Sequence, residues 1–132
     1  MTEGRGQVWL DRALILRSQA YRETSLLVDV FTEQHGRLRV LGKGVRRGRP
    51  PLAGRLRSLS CVRLSWVGRG DLPVLTAAEP VEDDSRLEGT ALYCGFYLAE
   101  LLLRLLPLHD SQPGMFALCH ETLLRLATGS AL

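Results

Sequence analysis

The sequence predicts a mainly β chain with a following α part: a five-stranded barrel over residues 1–80, then an incomplete α-helical domain over residues 81–132. Three observations carry that reading. Five short apolar segments, several alternating with period two, fall within residues 1–80 and are mostly separated by hairpin-length polar turns. Beyond Pro80 the pattern changes to leucine-rich runs bounded by helix-start and helix-stop residues. The charge divides near the same place. Residues 1–70 hold 14 Lys and Arg against 5 Asp and Glu, net +9; residues 71–132 hold 3 against 9, net −6.

The first strand runs from about Val8 to Ala20, its Leu, Ile and Val interrupted by Arg12 and Arg17. Tyr21–Thr24 is a short polar connection, and Ser25–Thr32 is a second strand with Asp29 its only charge. Glu33-Gln34-His35-Gly36 reads as a hairpin turn in which Gly36 supplies a positive φ. The third strand, Arg37–Lys43, sets Arg37, Arg39, Leu41 and Lys43 against Leu38 and Val40. Gly42, Gly44 and Gly48 then mark a loop or bulge, and Leu52–Leu59 a short helical turn. In the fourth strand, Cys61–Val67, Val62, Leu64 and Trp66 share one face, with Arg63 and Ser65 on the other. A turn at Gly68–Asp71 leads to the fifth, Val74–Ala78.

Five strands with the longest gap between the third and fourth match an OB-fold, which commonly places a helix there; strand counting alone leaves SH3-like barrels open. Pro80–Asp84 is an acidic connector and the natural boundary. Ser85-Arg86-Leu87-Glu88 has the spacing of a capping box, opening a helix from Arg86 to Leu106 that Pro107 stops. Its apolar residues lie on nearly every face, as in a helix covered on more than one side. A second helix starts near Pro113, carries Phe116, Cys119, Leu123 and Leu126 as its stripe, and ends at Gly129.

The chain is organised around Gly36–Arg57, in which Arg37, Arg39, Lys43, Arg46, Arg47, Arg49, Arg55 and Arg57 are cationic and no residue is acidic. A strand face and loop of one sign repel themselves unless an anion lies across them, so we read the stretch as a phosphate-backbone track for nucleic acid. A plain basic surface is the alternative. On this reading Arg37→Glu with Arg39→Glu abolishes DNA binding and leaves stability nearly unchanged. Of the 17 cations only Lys43 is a lysine, and arginine's planar fork suits phosphate oxygens. Trp9, Tyr21, Phe31 and Trp66 are the aromatic candidates for base stacking in the basic half. Phe31 and Trp66 fit the core better, so affinity is expected to rest on phosphates with little sequence preference.

Other chemistries find little support. Gly42-Lys43-Gly44-Val45-Arg46-Arg47-Gly48 misses the dinucleotide fingerprint and lacks the GK[ST] ending of a P-loop. Glu82-Asp83-Asp84 read as solvated charges near a helix N-terminus. His35, His109 and His120 have turn or surface roles, and Glu100 pairs with Arg104 or with a barrel cation. No nucleophile, base and oxyanion set assembles, so no enzyme is expected. Cys61, Cys94 and Cys119 form neither a disulfide framework nor a zinc site, and no cofactor is expected in this chain. The polar start is no signal peptide, and the apolar runs are too interrupted to span a membrane.

The residues also carry a family resemblance. Ala13-Leu14-Ile15-Leu16-Arg17, Tyr21-Arg22-Glu23-Thr24-Ser25-Leu26-Leu27, Phe31-Thr32, Gly36-Arg37-Leu38, Gly42-Lys43-Gly44-Val45-Arg46-Arg47 and Leu52-Ala53-Gly54-Arg55-Leu56 follow one another in order, with Glu100–Leu106 in the helical part. Over roughly residues 8–128 the chain resembles the N-terminal part of the bacterial RecO recombination-mediator family. The resemblance implies an N-terminal OB-fold followed by a helical domain. It also implies binding of single- and double-stranded DNA, strand annealing, and loading of RecA onto strands coated by single-strand-binding protein. RecR is the implied partner, and the implied setting is the cytoplasm at the nucleoid. It puts Arg37, Arg39, Lys43, Arg46 and Arg47 on the family's basic segment and Arg55 on the following turn. The family often has a Ser where this chain has Arg49-Pro50-Pro51, and its full-length members run further, often with a cysteine zinc module beyond residue 132. The rival readings are a barrel and helix pair that scaffolds an acidic protein partner, and an RNA-binding OB-fold factor.

Overall fold

A computed structural model describes residues 7–81 and 86–129. Five strands, β1 (Gln7–Tyr21), β2 (Ser25–Thr32), β3 (Gly36–Gly42), β4 (Cys61–Val67) and β5 (Val74–Pro80), are followed by helices α1 (Gly89–Leu105) and α2 (Pro113–Thr128). A 3-10 turn at Leu52–Arg55 lies between β3 and β4. The strands close in the order β1-β2-β3-β5-β4, with β1 also pairing β4. The neighbours are antiparallel except β3 and β5, which meet in parallel at Leu41 and Val74. That ring is the OB-fold barrel, and it removes the open sheet edges that a five-stranded sheet would expose.

The long first strand serves two partners. Gln7–Leu14 pairs with β4 and Ala13–Tyr21 with β2, and each run is interrupted by a bulge. At the first bulge Leu10 takes φ 50°, and its N–H donates to Ser65 Oγ at 2.9 Å. Ser65, expected on a solvated face, is fully buried for this reason: its hydroxyl satisfies a backbone donor that the ladder misses. At the second bulge Leu16 is the extra residue between the Ile15–Val30 and Arg17–Asp29 pairs. Alternation puts Ala13 and Ile15 in the barrel and Leu14 and Leu16 outside, and the bulge lets Arg17 follow Leu16 outward to pair with Asp29.

Two apolar clusters result. The first fills the barrel with Val28, Val30, Val40, Leu64 and Trp66, and Val45, Leu56 and the 3-10 turn close one end. The second lies between the barrel's outer face and the helices: Leu14, Leu16, Phe31, Leu59 and Cys61 meet Ala99, Leu102, Phe116, Cys119 and Leu123. Phe31 and Phe116 pack edge to face at 5.6 Å. A Cβ on Gly95 would lie 2.5 Å from Leu87 Cδ1 and 2.8 Å from Leu59 Cδ1, so glycine lets α1 approach. His120, read as a turn or surface residue, is buried at this seam, its Nδ1 3.0 Å from an Arg12 guanidinium nitrogen.

The helix start differs from the expected one. Glu88 is the N-cap of α1, with no side-chain capping bond, and Gly89 has φ 58°. Leu87 is drawn into the second cluster instead of the first helical turn, and that burial outweighs the capping-box spacing. Ser85 and the acidic run 82–84 lie outside the described residues. Nor is α1 covered on more than one side: it buries Gly95, Ala99 and Leu102, while Tyr93, Tyr97 and Leu105 are 77%, 68% and 73% exposed. One barrel face and one neighbouring helix leave the remaining circumference open. Among the described residues, no helix is long and apolar enough to cross a membrane.

Two outcomes follow from this packing. At about 25 cal/mol per Å², a bare apolar patch of a few hundred Å² drives association by several kcal/mol. The isolated chain should self-associate in light scattering, and Tyr97→Glu with Leu105→Glu should return it to a monomer with little change in thermal midpoint. A monomeric unaltered chain would overturn the reading. Separately, Cys94 is exposed while Cys61 and Cys119 are buried, and burial pushes the Cys119 thiol up from its ordinary 9.0. Maleimide at neutral pH should label Cys94 first and the other two only on denaturation, as read by mass spectrometry.

Candidate nucleic-acid interface

The outward residues of β3 do not stand against solvent alone. Register places Arg17, Asp29 and Arg39 side by side across β1, β2 and β3. Asp29 accepts from Arg17 Nε (3.1 Å) through Oδ2 and from Arg39 Nε (3.1 Å) through Oδ1. Its side chain is only 4% exposed, whereas those of Arg17 and Arg39 are 43% and 40% exposed. The counter-charge that Gly36–Arg57 lacks along the sequence thus comes from the next strand. Arg37 turns the other way: its Nε donates to the Leu106 carbonyl at the end of α1 (2.8 Å), and its own carbonyl accepts from His109 N–H (2.8 Å). Gly36 beside it has φ 74°, and a Cβ there would overlap the Asp110 backbone. Start of β3 and start of the α1–α2 connection are therefore joined backbone to backbone.

The β3–β4 loop gathers four of the predicted cations. Lys43, Arg46, Arg47 and Arg49 are all exposed, and among the described residues none of them makes an ion pair. The loop is nevertheless built firmly onto the β1–β2 connection. Gly44 N–H donates to Ser25 Oγ (3.0 Å), Arg46 N–H to the Thr24 carbonyl (2.9 Å), and the Arg46 guanidinium to the Ser25 and Arg22 carbonyls (3.0 and 2.7 Å). Gly44 and Gly48 take φ 69° and 96°, which glycine adopts without steric cost. Because the Gly44 and Arg46 amides already have partners, the loop offers side-chain cations and not a backbone cradle for phosphate.

The other two predicted cations lie elsewhere. Arg55 is exposed on the 3-10 turn and donates to the Ala78 carbonyl of β5 (2.8 Å). Arg57 borders a small recess with Arg86 and Leu87 beside α1. The structure thus brings Lys43, Arg46, Arg47 and Arg49 onto one loop, leaves Arg37 and Arg39 on the outward face of β3 bonded to the end of α1 and to Asp29, and places Arg55 on the 3-10 turn and Arg57 beside α1. Sequence reasoning missed Arg22, which joins the loop through its carbonyl and lies 5.1 Å over the Tyr21 ring, and Arg69 in the β4–β5 connection. The available signal was position: in OB barrels the β1–β2 and β4–β5 loops flank the oligonucleotide face. Of the aromatic candidates, Trp9 is 46% exposed and Tyr21 half-buried, whereas Phe31 and Trp66 belong to the cores. Glu100 reaches Arg104 only at 4.0 Å on an exposed face, a contact of small energetic weight. Among the described residues, no group of three His, Cys, Asp or Glu could hold a metal ion.

The Asp29 cluster changes what the strand substitutions should do. Arg39→Glu sets a carboxylate against buried Asp29, and Arg37→Glu removes a bond to the end of α1, so the double variant loses stability. Asp29→Ala should cost about 1–3 kcal/mol, since it removes charge-assisted bonds and leaves two cations adjacent. Thermal unfolding of Asp29→Ala and Arg39→Glu checks this; unchanged midpoints in both would show that solvent replaces the cluster at no cost.

Comparison with known proteins agrees with this architecture. Residues 7–83 match the family described as Recombination protein O N terminal, and residues 86–132 that described as Recombination protein O C terminal. The chain is 48% identical over 126 residues to the DNA repair protein RecO of Methylococcus capsulatus, covering 96% of this chain and 52% of that protein. It is 47% identical over 118 residues to the RecO of Nitrosospira multiformis, covering 89% and 49%, and 44% identical over 117 residues to that of Glaesserella parasuis, covering 89% and 49%. The chain spans about half the length of these relatives. With both family matches and these identities over an OB barrel and a helix pair, the chain belongs to the RecO family of DNA repair and recombination proteins.

Proposed function

We propose that the chain binds single- and double-stranded DNA without catalysis, through phosphates, on the β3–β4 loop. The observation that carries this reading is the exposed set Lys43, Arg46, Arg47 and Arg49, without ion pairs among the described residues, on a loop tied by backbone bonds to the β1–β2 connection. A fixed loop presents its cations to an anion at less entropic cost than a free one. Arg22 extends the track on one side, and Arg39 and Arg17 extend it over the sheet face, sharing Asp29 between them. Arg55 and Arg57 would meet only a strand that wraps past the 3-10 turn. Strand annealing, RecA loading, partnership with RecR and with single-strand-binding protein, and action at the nucleoid belong to the same proposal; membership of a DNA repair family supports them.

Binding should weaken steeply with salt and vary little with base sequence, because counterion release at phosphates drives it. Lys43→Ala, Arg47→Ala and Arg49→Ala combined should lower affinity for single strands and duplex alike, by on the order of tenfold or more at moderate salt, and flatten the salt slope by about 2–3. These side chains have no ion pair to lose among the described residues, so the thermal midpoint should hold. Gel shifts with single-stranded DNA, duplex and RNA across a salt series check the reading. An unchanged affinity in the triple variant, or a preference for RNA over both DNA forms, would overturn it.

A further inference from the structure

A second polar site lies away from the basic loop. A cleft of about 490 Å³ opens between the β2–β3 turn, the β4–β5 connection and the α1–α2 connection. That volume is of the order that small-molecule sites occupy. His35, Arg69 and His109 reach it from those three segments, with Gln34 and Ser111 beside them and Trp66 and Pro73 as apolar wall. None of the described lining residues is a carboxylate.

The lining is held in place. His35 Nδ1 lies 2.8 Å from Asp11 Oδ2, and its ring stands edge-on to Trp66 at 5.4 Å. Asp11 is itself buried and also accepts from Gln34 N–H at 3.2 Å. His109 takes φ 60°, a left-handed conformation uncommon for a residue with a side chain, and its N–H is bonded to the Arg37 carbonyl. A strained backbone that aims a histidine at a cleft is a reason to look for a ligand there. Arg69, by contrast, is exposed and without an ion pair among the described residues.

We propose that this cleft holds one nucleotide unit, its phosphate against Arg69 and His109 and its base against the His35 ring and the Pro73 wall. Cations alone would suit any small anion. The apolar wall and the imidazole plane add a surface on which a base gains contact energy, while Gln34 and Ser111 offer donors and acceptors to its edge or sugar. The inference rests on the DNA-binding reading only for where the nucleotide comes from; the site's chemistry is the same for a free nucleotide and for one at a strand end. Because the cleft is shared between the barrel and the α1–α2 connection, an occupied site would tie the two together.

The test is a titration of the full chain followed by amide NMR, with dTMP, thymidine, inorganic phosphate, and a short oligothymidylate with or without a 5′-phosphate. Thymidine monophosphate should move the signals of Gly68, Arg69, Gly70 and His109, and do so at lower concentration than phosphate or thymidine alone. Arg69→Ala and His109→Asn should each weaken dTMP by about fivefold or more, the loss of one charge-assisted contact, and their spectra report directly on folding. A lower saturating concentration for the 5′-phosphorylated oligomer identifies a strand end as the source, and no gain over dTMP identifies the free nucleotide. Either result upholds the site. Cleft signals that ignore dTMP, or respond to inorganic phosphate as strongly as to dTMP, overturn it. Duplex gel shifts on the same samples separate the two proposals: duplex binding with a silent cleft removes only the nucleotide site, and a responsive cleft without duplex binding removes only the basic-loop reading.

Discussion

Everything else in the structure depends on β1 being paired on both sides. One strand of 15 residues closes the barrel against β4 with its first half and supports β2 with its second. A regular strand cannot turn far enough to do both, and the two bulges supply the bend. The second bulge has a further effect. It turns Arg17 outward directly after Leu16, so the outer face of the strand changes there from Leu14 and Leu16, which Phe31 and Cys61 complete into an apolar patch, to the Arg17–Asp29 pair. That patch is the seat for α1 and α2. The helices dock on a surface that strand alternation makes, and the irregularity that bends the strand marks its edge.

Two populations of cation come out of this arrangement, and they differ in what the fold asks of them. Arg17, Arg37, Arg39 and Arg55 each bond to a carboxylate or a carbonyl of another element. They hold β1 to β2, β3 to α1, β2 to β3, and the 3-10 turn to β5. Among the described residues Lys43, Arg47 and Arg49 bind no other element in this way, and Arg46 serves both sides, bonding carbonyls in the β1–β2 connection from an exposed position. The surplus of positive charge is thus concentrated in the loop, because the sheet face neutralises part of its own with Asp29.

How much of this was legible in the sequence depends on whether the signal was local. The apolar run Ser25–Thr32 and the alternation in Cys61–Val67 give β2 and β4 with their true bounds, and Gly36, Pro113 and Gly129 mark a turn, a helix start and a helix stop where they occur. Those residues act through their own backbone, so neighbours along the chain suffice to read them. What was missed depends on register. Asp29 sits in β2 as a lone charge, and only its alignment between Arg17 and Arg39 shows that it partners both. Ser65 belongs by alternation to the solvated face, and a bulge in another strand buries it. The capping-box spacing at Ser85–Glu88 failed for a related reason: Leu87 has a tertiary partner, and burial in the second cluster decides where the helix starts. In the basic stretch, composition located the loop but could not say which arginines the fold had already engaged.

The opposite charges of the two halves give the proposed DNA site an orientation. The excess of cations lies in the barrel half, whereas on α1 and α2 Glu100 and Glu121 are matched by Arg104 and Arg125, so the two helices carry no net charge. A phosphate backbone approaching over the β3–β4 loop is attracted there and finds no comparable attraction along the helices, so on the proposed reading a strand favours the barrel. The geometry of the joint adds a constraint. Arg37 and His109 tie β3 to the α1–α2 connection beside Gly36, so the helices cannot swing clear of the barrel without breaking backbone contacts. On the proposed reading a polyanion settles on the β1–β2 connection, the β3–β4 loop and the outer face of β2 and β3, where the cations lie. A cation added to that surface would strengthen binding, and one added to the far side of α1, a face with no net charge and remote from the loop, would change it less.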